Sequence, residues 1–595
     1  MDMTILILGI IVTVVSAIPV VIQLRRHPRG LYVLFFAEMW ERFSYYGMRG
    51  MLIFYLTQQF LFDDTFSQGL YGSYTSLVYL MPLIGGVLAD RVLGTRKAVA
   101  FGALLLVAGH FLMAVEGTPA TQVLTYDGQK YTFDSEGRGD QRHVRLRVGE
   151  GRYDIGPGAD GGMEIKGLPA GGPLPNLLPK GQYQLSVTGN DPLFTGIFYL
   201  ALSLIIMGVG FLKANISSIV GQLYGENDPR RDPGFTLYYY GINLGAFWAS
   251  LLCTGLGQTI GWWAGFGLAG VGMLFGYVVF VLGRSWLDGK GEPPDPVKLA
   301  APSVIGVSNE WSIYLLGFAL VGAVWFVIQD SNLVYYLLIG GSALVLLYLL
   351  FYMATQATWV EISRLVLALT LIAASVVFFT LFEQGGSSLN QFAERNSQLN
   401  FGSVLFTAGQ TQAFNAGMIL LLAPLFSFVW AWLGRRNSDL NAPAKFGLGL
   451  LQVGASFYIL VWGAQFADAS FKVPLIFLMM CYMLQTTGEL CLSPVGLSQM
   501  TKLAPAALIS TVMAIWFLAS SWAQMIAAFI AKMTAQETVG GQVLDPHAAL
   551  MTYVHVFQLI GFWGAAIGAG LLLLSPILGL LAMSRRSSTS AVPAE

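Results

Sequence analysis

Residues 38–49 read EMWERFSYYGMR, and the reading of this stretch decides what kind of chain carries it. Glu38, Glu41, Arg42, Tyr45 and Arg49 recur at offsets of three, four, seven and eleven from the first, which places them on one face of a helix. The segments on either side, LYVLFFA and MLIFYL, are apolar. At a bilayer centre each charged side chain costs roughly 2.5 to 3.5 kcal/mol on insertion scales, so a stripe of four charges faces a polar interior and not lipid. That face lines a solute pathway, or it is a self-neutralising ion-pair lock between helices.

Composition supports a membrane setting, with 55% of the 595 residues hydrophobic and 11% charged. The net charge of -1 says little about partners, because the basic residues sit in short loops where they set orientation, and nothing points to nucleic acid. Cys253, Cys481 and Cys491 all fall in apolar segments. The last two are ten residues apart on one expected helix, about 15 Å, too far to bridge. No metal-ligand spacing accompanies them, and His27, His110 and His143 neighbour no other histidine.

The first apolar run, Met3 to Gln23, is followed by Arg25, Arg26 and Arg29, the pattern of an uncleaved anchor with its amino terminus outside; a cleaved signal peptide is the alternative. With the later apolar runs this makes about fifteen spans. Arg91, Arg96 and Lys97, Arg230 and Arg231, Arg435 and Arg436, and Arg585 and Arg586 then share one side, cytoplasmic by the positive-inside rule. An odd number of spans with the carboxyl terminus inside again puts the amino terminus outside.

Residues 116–191 break the pattern with alternating stretches such as HVRLRVGEGRYDI and YQLSVTG, which predict a β-rich insertion on the outer, periplasmic side. Its glycine-rich middle, 156–179, reads as a stretch able to lack fixed structure. The polar run DGKGEPPDP opens an inner-side linker. The chain therefore divides into an anchor helix (1–24), core helices one to three (30–115), the insertion (116–191) and core helices four to six (192–285). A linker (286–311), two additional helices (312–354), core helices seven to twelve (360–584) and a tail (585–595) follow. This is an all-α polytopic membrane protein with two six-helix halves, the arrangement of a transporter related by a membrane-normal axis.

Between the second and third core spans GGVLADRVLGTRKA places Asp90 and Arg91 in a tight charged turn and resembles the loop motif of the major facilitator superfamily, whose role is gating. The 38–49 stretch resembles the first-helix signature of the proton-dependent oligopeptide transporters within that superfamily. FTLYYYGINLGAF (235–247), FEQGGSS (382–388), GEL with SPVGLS (488–498) and WFLAS (516–520) are similar to that family's fifth, seventh, tenth and eleventh core helices, in order. The resemblance implies proton-coupled import of di- and tripeptides by alternating access, with no cofactor beyond the proton as coupling ion. It also implies that Lys213 pairs with Glu489 and Arg49 with Glu383, bridging the halves. Two departures stand out: Ala416 occupies a position where the family commonly has proline, and Gly72 aligns with a histidine of animal members.

A short peptide offers a fixed ammonium, a fixed carboxylate and one or two amides. Arg49 and Lys213, with Tyr46, suit the carboxylate, while Glu383, Asn243 and Asn415 suit the ammonium and amide. Tyr79, Phe382 and Trp516 are candidates for side-chain pockets, or simply packing, and Ser493 and Glu489 complete the expected contacts. Glu41 and Glu489 are the principal candidate proton acceptors, with Glu38, Arg42 and Glu383 in support. If the substrate carboxylate competes for a cation, the glutamate left behind binds a proton, and the two ligands travel together. A same-fold symporter for nitrate or a peptide-like solute, and a membrane enzyme or sensor using the insertion, are the competing readings. No GxxxxGK[ST] loop for ATP-driven transport occurs.

Overall fold

The computed structural model describes residues 2–583 apart from 140, 141, 159, 160, 170, 226, 227, 437, 506 and 507. Helix α1 (Met3–Leu24) starts at Asp2, whose carboxylate accepts from Thr4 N, and is followed by the stripe-bearing α2 (Arg29–Gln58). Next come α3 (Asp64–Leu80), α4 (Pro82–Leu88) and α5 (Thr95–Met113). The turn into α5 ends on Gly94 at φ +80°, where a Cβ would meet Pro293 N of the linker at 2.6 Å, so both conformation and crowding demand glycine.

Helices α6 (Pro192–Gln222), α7 (Arg231–Thr259) and α8 (Trp262–Leu282) finish the first half. The linker holds the single turn α9 (Pro296–Ala300), and two apolar helices, α10 (Asn309–Val327) and α11 (Ser331–Thr355), follow. Only 22% and 17% of their most apolar windows are buried. The second half comprises α12 (Trp359–Phe382), α13 (Ser388–Asn396), α14 (Ala413–Arg435), α15 (Ala442–Gly463), α16 (Leu475–Leu503), α17 (Ile509–Lys532) and α18 (Pro546–Met583). Helix α14 runs through Ala416 without interruption.

Among the described residues thirteen helical segments are long and apolar enough to cross a membrane. Helices α2 and α7, of 30 and 29 residues, fall outside that set because each carries a polar face, and they bring the long helices to the fifteen expected. Their polar faces turn inward: Glu38, Glu41, Arg42, Arg49 and Asn243 are all buried.

The insertion is a seven-stranded antiparallel sheet: β1 (Thr121–Tyr126), β2 (Gln129–Glu136), β3 (His143–Val148), β4 (Gly151–Pro157), β5 (Met163–Ile165), β6 (Leu177–Leu178) and β7 (Gln184–Thr188). Spatial order is β6-β5-β4-β3-β2-β1-β7. Alternation fixes its inner face, with Val144 and Leu146 buried and Arg145 and Arg147 turned away. The stretch 156–179, expected to be able to lack structure, carries β5 and β6, because Met163, Ile165, Leu168, Leu174 and Leu178 each bury their side chains in the sheet's core. Two small hairpins, β8 (Asn400–Phe401) with β9 (Val404–Leu405) and β10 (Thr538–Val539) with β11 (Gln542–Val543), lie in the second half.

The halves close on each other at the end that bears the insertion. Arg395 of α13 donates to both oxygens of Asp64 at the start of α3, at 2.6 and 2.7 Å, and Gln536 N donates to the same carboxylate. Gln68 bonds Gln391 at 2.7 Å, and Asn390 donates to Gly50 O at 3.0 Å. Farther along the same seam α3 and α17 touch so closely that a Cβ on Gly72 would lie 2.2 Å from the Ala528 Cβ. Gly72→Val is therefore expected to push the halves apart at a cost of about 1 to 3 kcal/mol to this conformation. Thermal unfolding in detergent, followed by tryptophan fluorescence, should show a lowered midpoint; an unchanged one would mean that α3 and α17 do not pack this way.

Candidate functional site

The stripe on α2 divides into two charged groups. In the first, Arg42 Nε donates to Glu38 Oε1 at 2.8 Å and lies 3.1 Å from Glu41 Oε2. Neither Glu41 oxygen, nor Glu38 Oε2, has a hydrogen-bond partner among the described residues. Lys213 of α6 stands beside them with its Nζ 3.6 Å above the centre of the Tyr79 ring, a cation–π contact. Two carboxylates and two cations thus form one formally neutral cluster wholly within the first half. The expected Lys213–Glu489 ion pair is not formed: among the described residues no carboxylate lies within ion-pair distance of Lys213, whose nearest charged company is the α2 cluster. Its ammonium is committed to the tyrosine face and to its own half.

The second group crosses between halves. Arg49 forms an ion pair with Glu383, which stands at the break between α12 and α13, and its Nε donates to Tyr71 Oη at 2.7 Å. Tyr46, one turn before, lies under the same guanidinium at 5.8 Å. Tyr46, Arg49 and Glu383 line a cavity with Asn243 of α7, Asn415 of α14 and Glu489 of α16. Phe382, Tyr482, Gln412 and Gln485 complete its walls. Tyr239 Oη donates to Glu489 Oε1 at 3.3 Å, whereas Glu489 Oε2 is buried without a partner among the described residues. Asn415 donates to Thr486 at 2.9 Å.

Of the residues singled out from the sequence, Tyr46, Arg49, Asn243, Phe382, Glu383, Asn415 and Glu489 share this cavity. Tyr79 and Lys213 belong to the first cluster, and Ser493 and Trp516 lie outside the cavity's lining, Trp516 packed over Gly496. Sequence reasoning does not single out Tyr71, Tyr239, Gln412 or Gln485. Tyr239 lies inside the quoted 235–247 stretch, and Tyr71 precedes Gly72, but aromatic and amide side chains in a membrane helix give no sequence signal that separates lining from packing.

Asp90 and Arg91 are exposed at the turn before α5, and no ion pair holds either among the described residues. Their neighbours do the binding. Arg96 donates to both oxygens of Glu292 in the linker, each at 2.9 Å, and Lys97 pairs with Glu310 at 2.6 Å. The Arg96 guanidinium beside Glu292 holds that carboxyl below the usual carboxylate range. The loop and the linker are thus strapped together at the end of the bundle opposite the insertion. Among the described residues there is no group of His, Cys, Asp and Glu that could hold a metal ion.

The sequence model of the POT family matches residues 96–545. The chain belongs to the POT family. Its curated relatives include the uncharacterized transporter YclF of Bacillus subtilis, 32% identical over 559 residues, covering 93% of this chain and 94% of that one. Dipeptide and tripeptide permease A of Edwardsiella piscicida is 30% identical, covering 94% and 96%. Among solved structures, the peptide transporter POT in complex with sulfate superposes with a TM-score of 0.69 at 31% identity, covering 93% of this chain and 96% of that one. As a POT-family chain it is a multi-pass membrane transporter and not an enzyme, with the major facilitator fold and a β-rich addition.

Proposed function

We propose that this POT-family protein is a proton-coupled symporter that carries di- and tripeptides across a bacterial inner membrane by alternating access, with its amino terminus outside and its carboxyl terminus inside. The observation that carries this reading is the inter-half cavity lined by the Arg49–Glu383 ion pair and by Glu489, which gathers one guanidinium and two carboxylates around a single space. A zwitterionic peptide suits that layout. Its carboxylate takes Arg49, assisted by Tyr46, and its ammonium and amide take Glu383, Asn243 and Asn415, with Glu489 as a further acceptor. The names of permease relatives support the same cargo.

Lys213 acts on the coupling side of this scheme instead of on the peptide. Glu41 and Glu489 present buried oxygens that receive no hydrogen bond among the described residues, and these are the sites offered to a proton. When a peptide carboxylate engages Arg49, Glu383 loses part of its counter-charge, and the carboxylates of the site gain affinity for the proton that accompanies the cargo. Asp90 and Arg91, without ion pairs among the described residues in this conformation, gate by pairing when the inner ends of the halves approach.

Liposomes holding the protein, with an inward proton gradient and inside-negative potential, should accumulate labelled dialanine, and an uncoupler should abolish the accumulation. Excess unlabelled tripeptide should compete and nitrate should not. Competition by nitrate with none by peptide would replace the cargo while keeping the fold.

A further inference from the structure

We propose that the strand insertion is an inter-half latch: a clasp, built on the first half, that grips the β10–β11 hairpin of the second half and must let go each time the outer side opens. The inference rests on alternating access of the two halves but goes beyond the cargo reading.

The insertion is fixed to the first half where it leaves α5 and rejoins α6. Gln59 Nε2 donates to Gly117 O at 2.8 Å, Ala120 N to Gln59 O at 2.9 Å, and Asn190 Nδ2 to Phe60 O at 3.0 Å. Its other attachment reaches some 400 residues along the chain. Gly540, at the tip of the hairpin, donates its N–H to Gln122 Oε1 at 2.5 Å and accepts from Arg142 Nε at 2.8 Å. Lys180 pairs with Glu537 at 3.1 Å. Beneath these bonds Val539 is fully buried, and it joins Leu544 in the same apolar core as Tyr131, Phe133, Val144 and Leu146 of the sheet.

The sheet's core therefore includes two side chains of the opposite half. A surface ornament would bury its own residues and present a polar face to the transporter. Here any motion that carries α17 and α18 away from α2 and α3 must extract Val539 from the sheet and break the three polar contacts. The glycine tip fits the purpose: Gly540 and Gly541 have φ of +58° and +80°, and a Cβ on Gly540 would lie 2.8 Å from Val144, so the hairpin enters a slot that a side chain would block.

Lys180→Cys with Glu537→Cys tests the release directly, because the native Cys253, Cys481 and Cys491 are buried and stay silent to aqueous reagents. Joining the pair with a short reducible bis-thiosulfonate is expected to lower dialanine uptake at least tenfold, with recovery on reduction. Uptake unchanged in fully cross-linked protein, or no cross-link at all, overturns the latch. A second readout needs no substrate and so stays informative if dialanine is not the cargo. Gln68→Cys, placed in the closed seam, should react with a small maleimide at least threefold faster when Val539→Asp or the milder Glu537→Lys loosens the grip. Equal rates in both variants overturn the proposal.

Discussion

Glu41→Gln is expected to abolish proton-driven accumulation of peptide while leaving exchange of labelled for unlabelled peptide across the membrane intact. Glutamine keeps the shape of the side chain and one oxygen, so the packing of α2 against α7 and α8 is preserved, but it cannot gain or lose the proton. Both carboxylate oxygens of Glu41 are buried and accept no hydrogen bond among the described residues, and its charged partners are Arg42 and, at longer range, Lys213. Accumulation should fall at least a hundredfold, to the level of an uncoupled liposome, and exchange should stay within about threefold of the parent. A variant that still concentrates peptide against its gradient would remove Glu41 from the coupling scheme and leave Glu489 to carry it.

Arg49→Ala should be at least as damaging, and for a different reason. Arg49 meets Glu383 of the opposite half and Tyr71 of its own, and it is the one cation in the cavity's described lining. Removing one partner of a buried pair leaves the other uncompensated, at a cost of about 3 to 5 kcal/mol. Peptide binding loses its carboxylate contact as well. About 3 kcal/mol corresponds to roughly a hundredfold in affinity, so both uptake and exchange should collapse. That loss of exchange separates a binding residue from a proton carrier. Arg49→Lys should sit between the two, because an ammonium keeps the charge yet cannot serve Glu383 and Tyr71 with one planar fork. Binding of dialanine by scintillation proximity, compared across the three proteins, checks the order; equal affinity in parent and Arg49→Ala would refute the assignment.

Much of this site is legible in the sequence alone. The α2 stripe announces itself because charges in an apolar run have only one tolerable direction, and Glu383, Asn243 and Glu489 stand out for the same reason, being polar where lipid would forbid it. Pairing is less legible. Lys213 could reach a carboxylate of either half, and its actual place over the Tyr79 ring depends on helix rotation, which no spacing rule encodes. In the turn before α5 the sequence points to Asp90 and Arg91 as the working charges, yet Arg96 and Lys97, in the first turn of α5, make the ion pairs, with Glu292 of the linker and Glu310 at the start of α10. The closed seam of Asp64, Gln68, Gln391 and Arg395 has no sequence signal at all. Its residues lie near helix ends, where polar side chains are ordinary. The insertion's β character follows from alternation, but its reliance on Val539 does not, since a two-residue strand far along the chain has no period to read.

The tight meeting of Gly72 with Ala528 has a consequence for protein engineering. A histidine at residue 72 is not accommodated in this closed conformation by a single exchange, because even the first carbon of its side chain lies against the opposing helix and the halves must shift to admit it. Residue 72 and residue 528 form one unit of redesign: room must first be carved in α17, and the only side-chain atom to remove there is the Ala528 methyl. The order of change is then fixed: Ala528→Gly opens the space, and only afterwards does a side chain at residue 72 fit, so a library that varies residue 72 alone will not reach the destination.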